Sequence, residues 1–548
     1  MKRRSLKSLS DKKNIKYTGI NLAFCALVVA LVIILNAMIG VLSDKFRWQL
    51  DMTEEGIFTM SDKMKTTVGE MFTEKDVQIE IIFAAPEDEI EDAYGRSDTA
   101  GSIGYVYSTA LDLEKEFGDN IEVNCYDIEK EYTFYKDNFY TDSGTRLSQN
   151  VVIVARKNPN PGTPGTPGYK PYNEYKVFHY QAFYAYDTNT GNLYAYNGEM
   201  VFTSAILGLV MDENPTVYFT WQHGETCFTN WDKDSEAIDF ESVETSKDIN
   251  SEALTLIKIF AQSGYSVKPI DLSTQNIPSD ARSIVINNPT SDFSPEETKK
   301  LTDYFKSSGT IFCFTDYDVD LPNLYAFADA NCGIEVSPSE YPVSDTLLAS
   351  STPYKLRAFV PENAAALSYF KTLSNAASAK ALMNNANIVT IKDEFKSDEG
   401  YVEREYVKYV KPLLVTSENA NFGGAKGTYN LMTITSAVKE DILNSTDGTM
   451  NKNEYSYFVM CPSSSFVSEE GLNSSSNANK KMMLALIHTL SSREDTPSLV
   501  DIDFKVFIEY DLDITKNQAT AMTVIISTVL PVAFIIGGAV VIRRRKLR

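Results

Sequence analysis

The chain has 548 residues and a formal net charge of −23 at pH 7, with 74 acidic side chains against 51 basic ones. This balance argues against nucleic-acid binding, which needs clustered Lys and Arg to displace counterions. The six cysteines are widely spaced and only three histidines are present, so neither a disulfide framework nor a zinc site is predicted.

The first predicted element is a membrane span over residues 18–42, a stretch without a charged side chain. As a helix it would reach about 37 Å, enough to cross a hydrocarbon core of about 30 Å. Residues 1–17 carry seven basic side chains and one acid, which predicts a cytoplasmic N-terminal tail. A cleaved signal peptide is the alternative, but its apolar region would run for only about 7–15 residues.

The other end of the chain mirrors the first. Residues 519–542 are free of charge and are predicted to form a second span, interrupted by Pro531 and two glycines. Five basic side chains follow in residues 543–548, which predicts a second cytoplasmic tail. Two crossings with both ends inside are mutually consistent, and they predict a cell-membrane protein.

Nearly all of the mass lies between the two predicted spans. Subtracting the +6 and +5 of the two ends from the total leaves a net charge of −34 for residues 43–518. This acidic, extracytoplasmic region is long enough for two or three domains. The composition and order of elements predict a first α/β domain over 43–213 and a second over 214–515.

The first predicted domain alternates strands and helices, beginning with a helix that Ser61 caps. This spacing predicts a small α/β unit with parallel pairing. The helices are predicted at 62–71, Ile103–Phe117 and Gly198–Met211, and the strands at Val77–Ala84, Ile121–Ile128, Asn150–Arg156 and Tyr175–Asp187.

The second predicted domain continues the alternation, with Ser294 and Pro295 marking one clear helix start. Regular alternation of this length predicts a doubly wound parallel sheet. The strands are predicted at Val217–Thr220, Ser266–Leu272, Ser283–Asn287, Thr310–Phe314, Lys411–Thr416 and Tyr455–Cys461, and the helices at Ser251–Gln262, Ser294–Ser307, Leu324–Ala330 and Asn477–Ser492. Between Pro338 and Gly427 the pattern is mixed.

Two patches of sequence carry a resemblance to a known family. The first is RWQLDMTEEGIFTMSDK, residues 47–63, and the second is NGEMVFTSAILGLVMDENPTVYFTWQHGE, residues 197–225. Together with the two end spans they resemble the GldG-type family, the membrane-anchored auxiliary subunits of ABC transporters. The resemblance implies a non-catalytic subunit whose partners are an ABC transporter permease and a separate ATPase chain.

The candidate site is the turn formed by His223, Gly224 and Glu225, which follows a predicted strand. In open α/β folds ligands bind at the carboxyl ends of strands. A His and a Glu there could bind a polar ligand or act as an acid/base pair. The alternative is a loop closed by the glycine with a locally hydrogen-bonded histidine. Gln222 stands where the resembled family often has a further glycine.

The winding of the second domain is similar to that of class I glutamine-amidotransferase-like folds. Those enzymes place a nucleophilic cysteine on a glycine-flanked elbow. Neither Cys313 nor Cys227 has flanking glycines of that kind, so catalysis by this route is not predicted.

Two further motifs are incomplete. Residues 423–428, GGAKGT, lack the spacing of a phosphate-binding loop, so any ATPase must be another chain. Asp316, Asp318 and Asp320 form an acidic run without the glycine and glutamate of a calcium-binding loop. No cofactor and no metal site are predicted.

Three functions are compatible with these observations. The leading hypothesis is a non-enzymatic auxiliary subunit of an ABC-2-type export complex, with the acidic region contacting substrate or envelope partners. The alternatives are a membrane-tethered envelope hydrolase acting through paired carboxylates and a ligand-binding protein. A signalling sensor is disfavoured because both tails are short.

The topology makes a direct prediction. A cysteine placed in the loop at residues 161–168, for instance by Thr163→Cys, should react with an impermeant thiol reagent on intact cells or spheroplasts, whereas tags at both termini should stay protected. The unsubstituted chain gives the background labelling. Labelling of either terminus, or a protected loop cysteine, would contradict two spans with an outward domain.

Overall fold

The computed structural model describes most of the region between the predicted spans. The described residues are 34, 38, 59–90, 102–139, 147–166, 168–186, 191–210, 215–230, 237–239, 242–243, 246–361, 380–397, 400–403, 406–439, 455–474, 476–490, 502 and 504–507. The described residues up to 505 belong to one compact unit, and 506 and 507 are the described part of a second unit. The predicted division at residue 213 therefore stays a prediction.

The predicted spans fall outside the described residues, apart from Ile34 and Met38, which are both helical. Within the part of the chain that the structure describes, no helix combines the length and apolar character needed to cross a bilayer. The two-span topology stays a prediction.

The element bounds are as follows. The helices are α1 (Asp62–Glu74), α2 (Ile103–Glu116), α3 (Tyr132–Asn138), α4 (Gly198–Val210), α5 (Leu254–Gln262), α6 (Pro295–Lys306), α7 (Pro322–Cys332), α8 (Glu469–Leu472) and α9 (Asn479–Leu490). The strands are β1 (Ile79–Phe83), β2 (Ile121–Cys125), β3 (Val151–Lys157), β4 (Tyr172–His179), β5 (Tyr184–Tyr186), β6 (Leu193–Tyr196), β7 (Thr216–Thr220), β8 (Ser266–Ile270), β9 (Ala281–Asn287), β10 (Thr310–Phe314), β11 (Ile334–Glu335), β12 (Lys355–Phe359), β13 (Lys380–Asn384), β14 (Thr390–Ile391), β15 (Tyr401–Glu403), β16 (Tyr406–Val415), β17 (Asn421–Phe422), β18 (Ala425–Lys426), β19 (Asn430–Lys439), β20 (Ser456–Cys461) and β21 (Lys505–Val506).

Local capping signals account for the clearest helix starts. Ser61 precedes α1 and its hydroxyl accepts a hydrogen bond from the Met64 amide at 3.2 Å. Ser294 precedes α6 in a full capping box with Glu297, and Pro295 is the first helical residue. Both starts were predicted from the sequence and both are confirmed, because each depends on residues within one turn of the chain.

A four-stranded mixed sheet forms the N-terminal part, in the order β2-β1-β3-β4. β1 and β2 are parallel and joined through α2, as the strand–helix–strand spacing predicts. β3 runs antiparallel to both β1 and β4. The aromatic stretch predicted as one strand over 175–187 is instead β4, a short 3₁₀ turn and β5.

The second sheet has ten strands, and its order is β13-β12-β16-β19-β20-β10-β9-β7-β8 with β15 paired to β16. Five of them, β8, β7, β9, β10 and β20, are mutually parallel. The other five pair antiparallel. The α/β class is confirmed, but a wholly parallel sheet is wrong. β16 and β19 are joined by a 14-residue loop containing the β17–β18 hairpin, and such a direct return produces antiparallel strands.

The parallel half is covered by α5 on one side and by α6 and α7 on the other. Phe260 of α5 packs edge-to-face on Phe219 of β7 and Phe312 of β10, with ring centroids 5.7 and 5.9 Å apart. Leu301 and Phe305 of α6 lie in a separate buried cluster with residues of β9 and β10. Burying both faces explains why these strands read as continuous apolar runs.

A side chain, not another strand, forms hydrogen bonds with the backbone at the free edge of β13. Asn479, at the start of α9, accepts a hydrogen bond from the Leu382 amide at 2.8 Å and donates to the Leu382 carbonyl at 2.9 Å. It also donates to the Phe466 carbonyl at 2.9 Å. The asparagine thus satisfies buried backbone groups that an open sheet edge would leave unpaired.

Asn479→Leu should therefore destabilise the protein. The substitution leaves the buried Leu382 amide unpaired, and one such group costs about 1–3 kcal/mol. We expect a lower midpoint in denaturant unfolding of the full chain, whereas Ser476→Ala, at an exposed position three residues earlier, should leave it unchanged. Equal midpoints for Asn479→Leu and the unsubstituted chain would show that α9 does not depend on this contact.

Candidate functional site

The candidate turn directly follows β7, which lies between β8 and β9 in the parallel half of the sheet. Gln222 has a φ of 96° and Gly224 a φ of 77°, both in the region that favours glycine. A Cβ atom at Gly224 would lie 2.0 Å from Thr290 Oγ1, so this position requires glycine. Gln222 adopts the glycine-like backbone although it carries a side chain.

The turn places His223 between two carboxylates. His223 Nδ1 lies 3.1 Å from Glu225 Oε1, and His223 Nε2 lies 3.2 Å from Glu297 Oε1. The His223 backbone amide also donates to Glu225 Oε2 at 2.7 Å. The imidazole stacks on Phe293 with 3.9 Å between ring centroids. All three ionisable residues are at least nine-tenths buried.

Glu297 reaches the site because of its place in α6. It is the third helical residue, and its Oε2 accepts a hydrogen bond from the Ser294 backbone amide at 2.7 Å in the capping box. Its other oxygen faces His223. One carboxylate therefore serves both the helix start and the histidine. The capping box of Ser294 and Glu297 can be recognised in the sequence. No residue near His223 in the sequence indicates that Glu297 is its partner.

Backbone contacts attach the turn to the segment that follows β9. The His223 carbonyl accepts hydrogen bonds from the Thr290 and Ser291 amides, at 2.8 and 3.0 Å. Asn287, the last residue of β9, donates from its side chain to the Thr226 carbonyl at 2.7 Å. The turn is thus held at the carboxyl edges of two neighbouring strands, where the sequence analysis predicted it.

The carboxylates set the charge of the histidine. Burial alone would lower the pKa of His223, but the hydrogen bond and charge of Glu225, together with Glu297, raise that pKa above its ordinary value. Burial would raise the pKa of Glu297, but hydrogen bonds from Ser294 and the charge of His223 lower it. Each shift favours the ion-paired form.

This geometry fits a structural contact between two loops better than it fits an acid/base pair used in catalysis. A protonated imidazole has no lone pair with which to accept a proton, and here each ring nitrogen faces a carboxylate. A general base needs an accessible nitrogen within reach of its substrate. The prediction that His223, Gly224 and Glu225 bind a ligand stays a prediction.

The cysteines considered for nucleophilic catalysis are buried. Cys313 lies inside β10, and Cys227 donates from Sγ to the Thr220 carbonyl at 3.3 Å. Burial raises the pKa of both thiols, which disfavours the reactive thiolate. Cys313 is buried, whereas Cys125 is partly exposed. No disulfide joins the five cysteines of the described region.

The acidic run after β10 does not converge on one point. Asp316 accepts a hydrogen bond from the Ser464 hydroxyl at 2.5 Å, which ties this loop to the segment after β20. Among the described residues, no group of three His, Cys, Asp or Glu side chains has an arrangement that could hold a metal ion.

A second buried ionic cluster surrounds Glu199, in the first turn of α4. Its carboxylate accepts hydrogen bonds from the Ser61 amide at 3.0 Å and the Ser61 hydroxyl at 2.5 Å. Lys505 Nζ donates to Glu199 Oε1 at 2.5 Å and to the Thr59 carbonyl at 2.7 Å. A single acidic residue in an apolar helix can indicate such a site in the sequence. Its partner cannot be identified in the same way, because Lys505 lies 306 positions away.

Comparisons with known proteins add little to this geometry. No protein-family model and no curated protein matches the chain. A solved structure described as "mmIFT52 N-terminal domain" is similar over 51% of this chain and 98% of its own length, at 12% identity and a TM-score of 0.34. A likeness at this level carries no argument about fold or function.

The raised pKa of His223 predicts a pH-dependent contribution to stability. The charged histidine stabilises the folded state fully below its unfolded pKa of about 6.5, and this stabilisation is lost as the pH rises through the folded pKa. The difference in free energy of unfolding between the unsubstituted chain and His223→Gln should therefore be largest near pH 6 and shrink towards pH 9.

His179 provides the matched control. Its side chain is exposed, and what burial it has lowers its pKa, whereas the pKa of His223 is raised. The difference in free energy of unfolding between the unsubstituted chain and His179→Gln should not decrease between pH 6 and pH 9. Denaturant unfolding of the three full-length chains at several pH values makes the measurement. A His223→Gln difference that is constant or grows with pH would contradict the ion-paired histidine.

Proposed function

We propose that this protein is a non-catalytic, membrane-anchored auxiliary subunit of an ABC-2-type transport complex. The observation that carries the proposal is the contact between the two patches that resemble the GldG-type family. Ser61 of the first patch bonds twice to Glu199 of the second, across 138 residues. A shared serine–glutamate contact gives a physical reason for both patches to occur in one fold.

The same cluster supports two anchors that leave the domain side by side. Lys505 Nζ donates to both Glu199 and the Thr59 carbonyl, so the chain near residue 59 and the chain near residue 505 meet at one place. The predicted spans end and begin 17 and 14 residues beyond these points. In our proposal both helices then enter the membrane together, with both termini in the cytoplasm and the acidic region outside.

The partners in this proposal are a permease and a separate ATPase chain. The chain lacks a phosphate-binding loop motif, so a transporter that it serves takes its ATPase from elsewhere. The spans would pack on the permease, and the outer region would contact substrate or envelope proteins. The net charge of −34 in residues 43–518 disfavours nucleic acid as that substrate.

The amidotransferase-like character of the second domain belongs to the same proposal. Five parallel strands covered by helices on both faces support such a core. Cys313 lies within a central strand with its thiol fully buried, and His223 is held in ion pairs. These two observations disfavour catalysis through a nucleophilic cysteine and favour a core used for binding.

Co-purification tests the proposal. The full-length chain, extracted in mild detergent with an affinity tag, should recover a permease and an ATPase chain. His223→Ala/Glu225→Ala should recover the same partners, because it removes a local tie between loops. Glu199→Gln should lose them or lower their yield, because it leaves the Lys505 ammonium buried beside an uncharged side chain, a change that costs about 3–5 kcal/mol.

Two results would overturn the proposal. One is recovery of no transporter chain by the unsubstituted protein. The other is a His223→Ala/Glu225→Ala protein that is stable and keeps its partners but has lost all biological activity, since that would make the turn a reacting site.

A further inference from the structure

The first turn of α9 carries a buried lysine beside a small cavity. Lys480 is the second residue of α9 and is 6% exposed, whereas its neighbour Lys481 is only partly buried. The cavity has a volume of about 180 Å³ and is partly open to solvent. Lys480 lines it together with β5, one face of α5 and the chain around α8, and no residue of the histidine turn contributes to the lining.

The side-chain nitrogen of Lys480 lacks the partners that a buried charge needs. Within the described part of the chain, Nζ forms no hydrogen bond and no ion pair, and its close contact is the face of the Phe504 ring, 5.1 Å from Nζ to the centroid. The same ring also faces Lys481, at 5.3 Å. An ammonium group buried without an opposite charge is costly, so this environment favours the neutral amine.

The charged groups around Lys480 act in the same direction overall. Burial and the charge of Lys258 lower the pKa of Lys480 to about 7, and Glu469 opposes this shift. The carboxylate of Glu469 is engaged elsewhere, since it accepts hydrogen bonds from the Thr255 amide and hydroxyl at 2.6 and 2.7 Å and from Asn473 at 2.7 Å. The first turn of a helix is also its positive end, which disfavours an ammonium there.

The amine remains accessible from the cavity. The enclosed polar atoms that lack partners in the described region do not include Lys480 Nζ, so the unpartnered nitrogen keeps some accessible surface where the side chain lines the space. Leu254, Ile259 and Tyr184 form apolar parts of the lining. A neutral amine offers a lone pair and not a positive charge, so the cavity suits a small neutral electrophile better than an anion.

We propose that Lys480 is a nucleophilic amine that holds a small aldehyde or ketone in this cavity as a reversible imine. The lone pair of Nζ forms a bond to the carbonyl carbon, and one proton moves from nitrogen to the carbonyl oxygen to give a carbinolamine. The hydroxyl group then leaves as water with the remaining N–H proton, and the C=N bond forms. The step needs no oxidant or reductant, and it is separate from the transport function proposed above.

Reductive trapping in the full-length protein in detergent tests this site. Propanal and sodium cyanoborohydride convert a lysine imine into a stable propyl-lysine, and peptide mass spectrometry gives the rate at each lysine. At pH 7 about half of an amine with a pKa of about 7 is neutral, against roughly one in 2,500 for a lysine of ordinary pKa. We therefore expect trapping of Lys480 at least about tenfold faster than trapping of Lys481.

The ratio of the two rates cancels the effect of pH on the reductant, because both lysines react in the same sample. This ratio should fall between pH 7 and pH 9, since Lys480 is then already neutral while the neutral fraction of an ordinary lysine still rises about tenfold per pH unit. Lys480→Met should lose the fast-reacting amine, and the matched variant Lys481→Met should keep it. The chain's α-amino group is mapped as a separate peptide.

Two further conditions show whether the preference depends on the cavity. In urea-unfolded protein, and with 9-anthraldehyde, which is too large for the space, Lys480 should lose its advantage over Lys481. Equal trapping of the two lysines in the folded chain at pH 7 would overturn the proposal, as would a ratio that stays constant to pH 9. A preference for Lys480 that persists in urea or with 9-anthraldehyde would contradict it as well.

Discussion

One buried carboxylate joins three segments of the described fold that are far apart in sequence. Glu199 receives Ser61 from the start of α1 and Lys505 from the far end of the unit, and all three contacts are within 3.0 Å. Breaking a buried ion pair by removing one partner costs about 3–5 kcal/mol, a large share of the net stability of a domain. The contact joins segments that are distant in sequence, so α1 packs against α4 and the segments around residues 59 and 505 are held together.

Features controlled by a few neighbouring residues were predictable. Ser61 and Ser294 mark helix starts because a cap is decided within one turn, and the buried parallel strands read as apolar runs because both of their faces are covered. The pairing of β16 with β19 was not predictable in this way. Strand order depends on which edges meet, and the mixed pattern between Pro338 and Gly427 carries no local signal for it.

The candidate site shows the same limit at the level of side chains. The position of the turn at a strand end and the need for Gly224 follow from local reasoning. The partner of His223 does not, since Glu297 is 74 positions away and is recognisable in the sequence only as a helix-capping residue. That distant carboxylate bears on the chemistry, because it lies 3.2 Å from the second ring nitrogen and favours the charged imidazole.

Charge pairing is the feature that the buried clusters around His223 and Glu199 share. Around His223 and around Glu199 each charged group faces an opposite charge, and such closed clusters hold loops and helix ends in place. The ion pairs of His223 therefore favour a role in holding the sheet edge over a role in proton transfer.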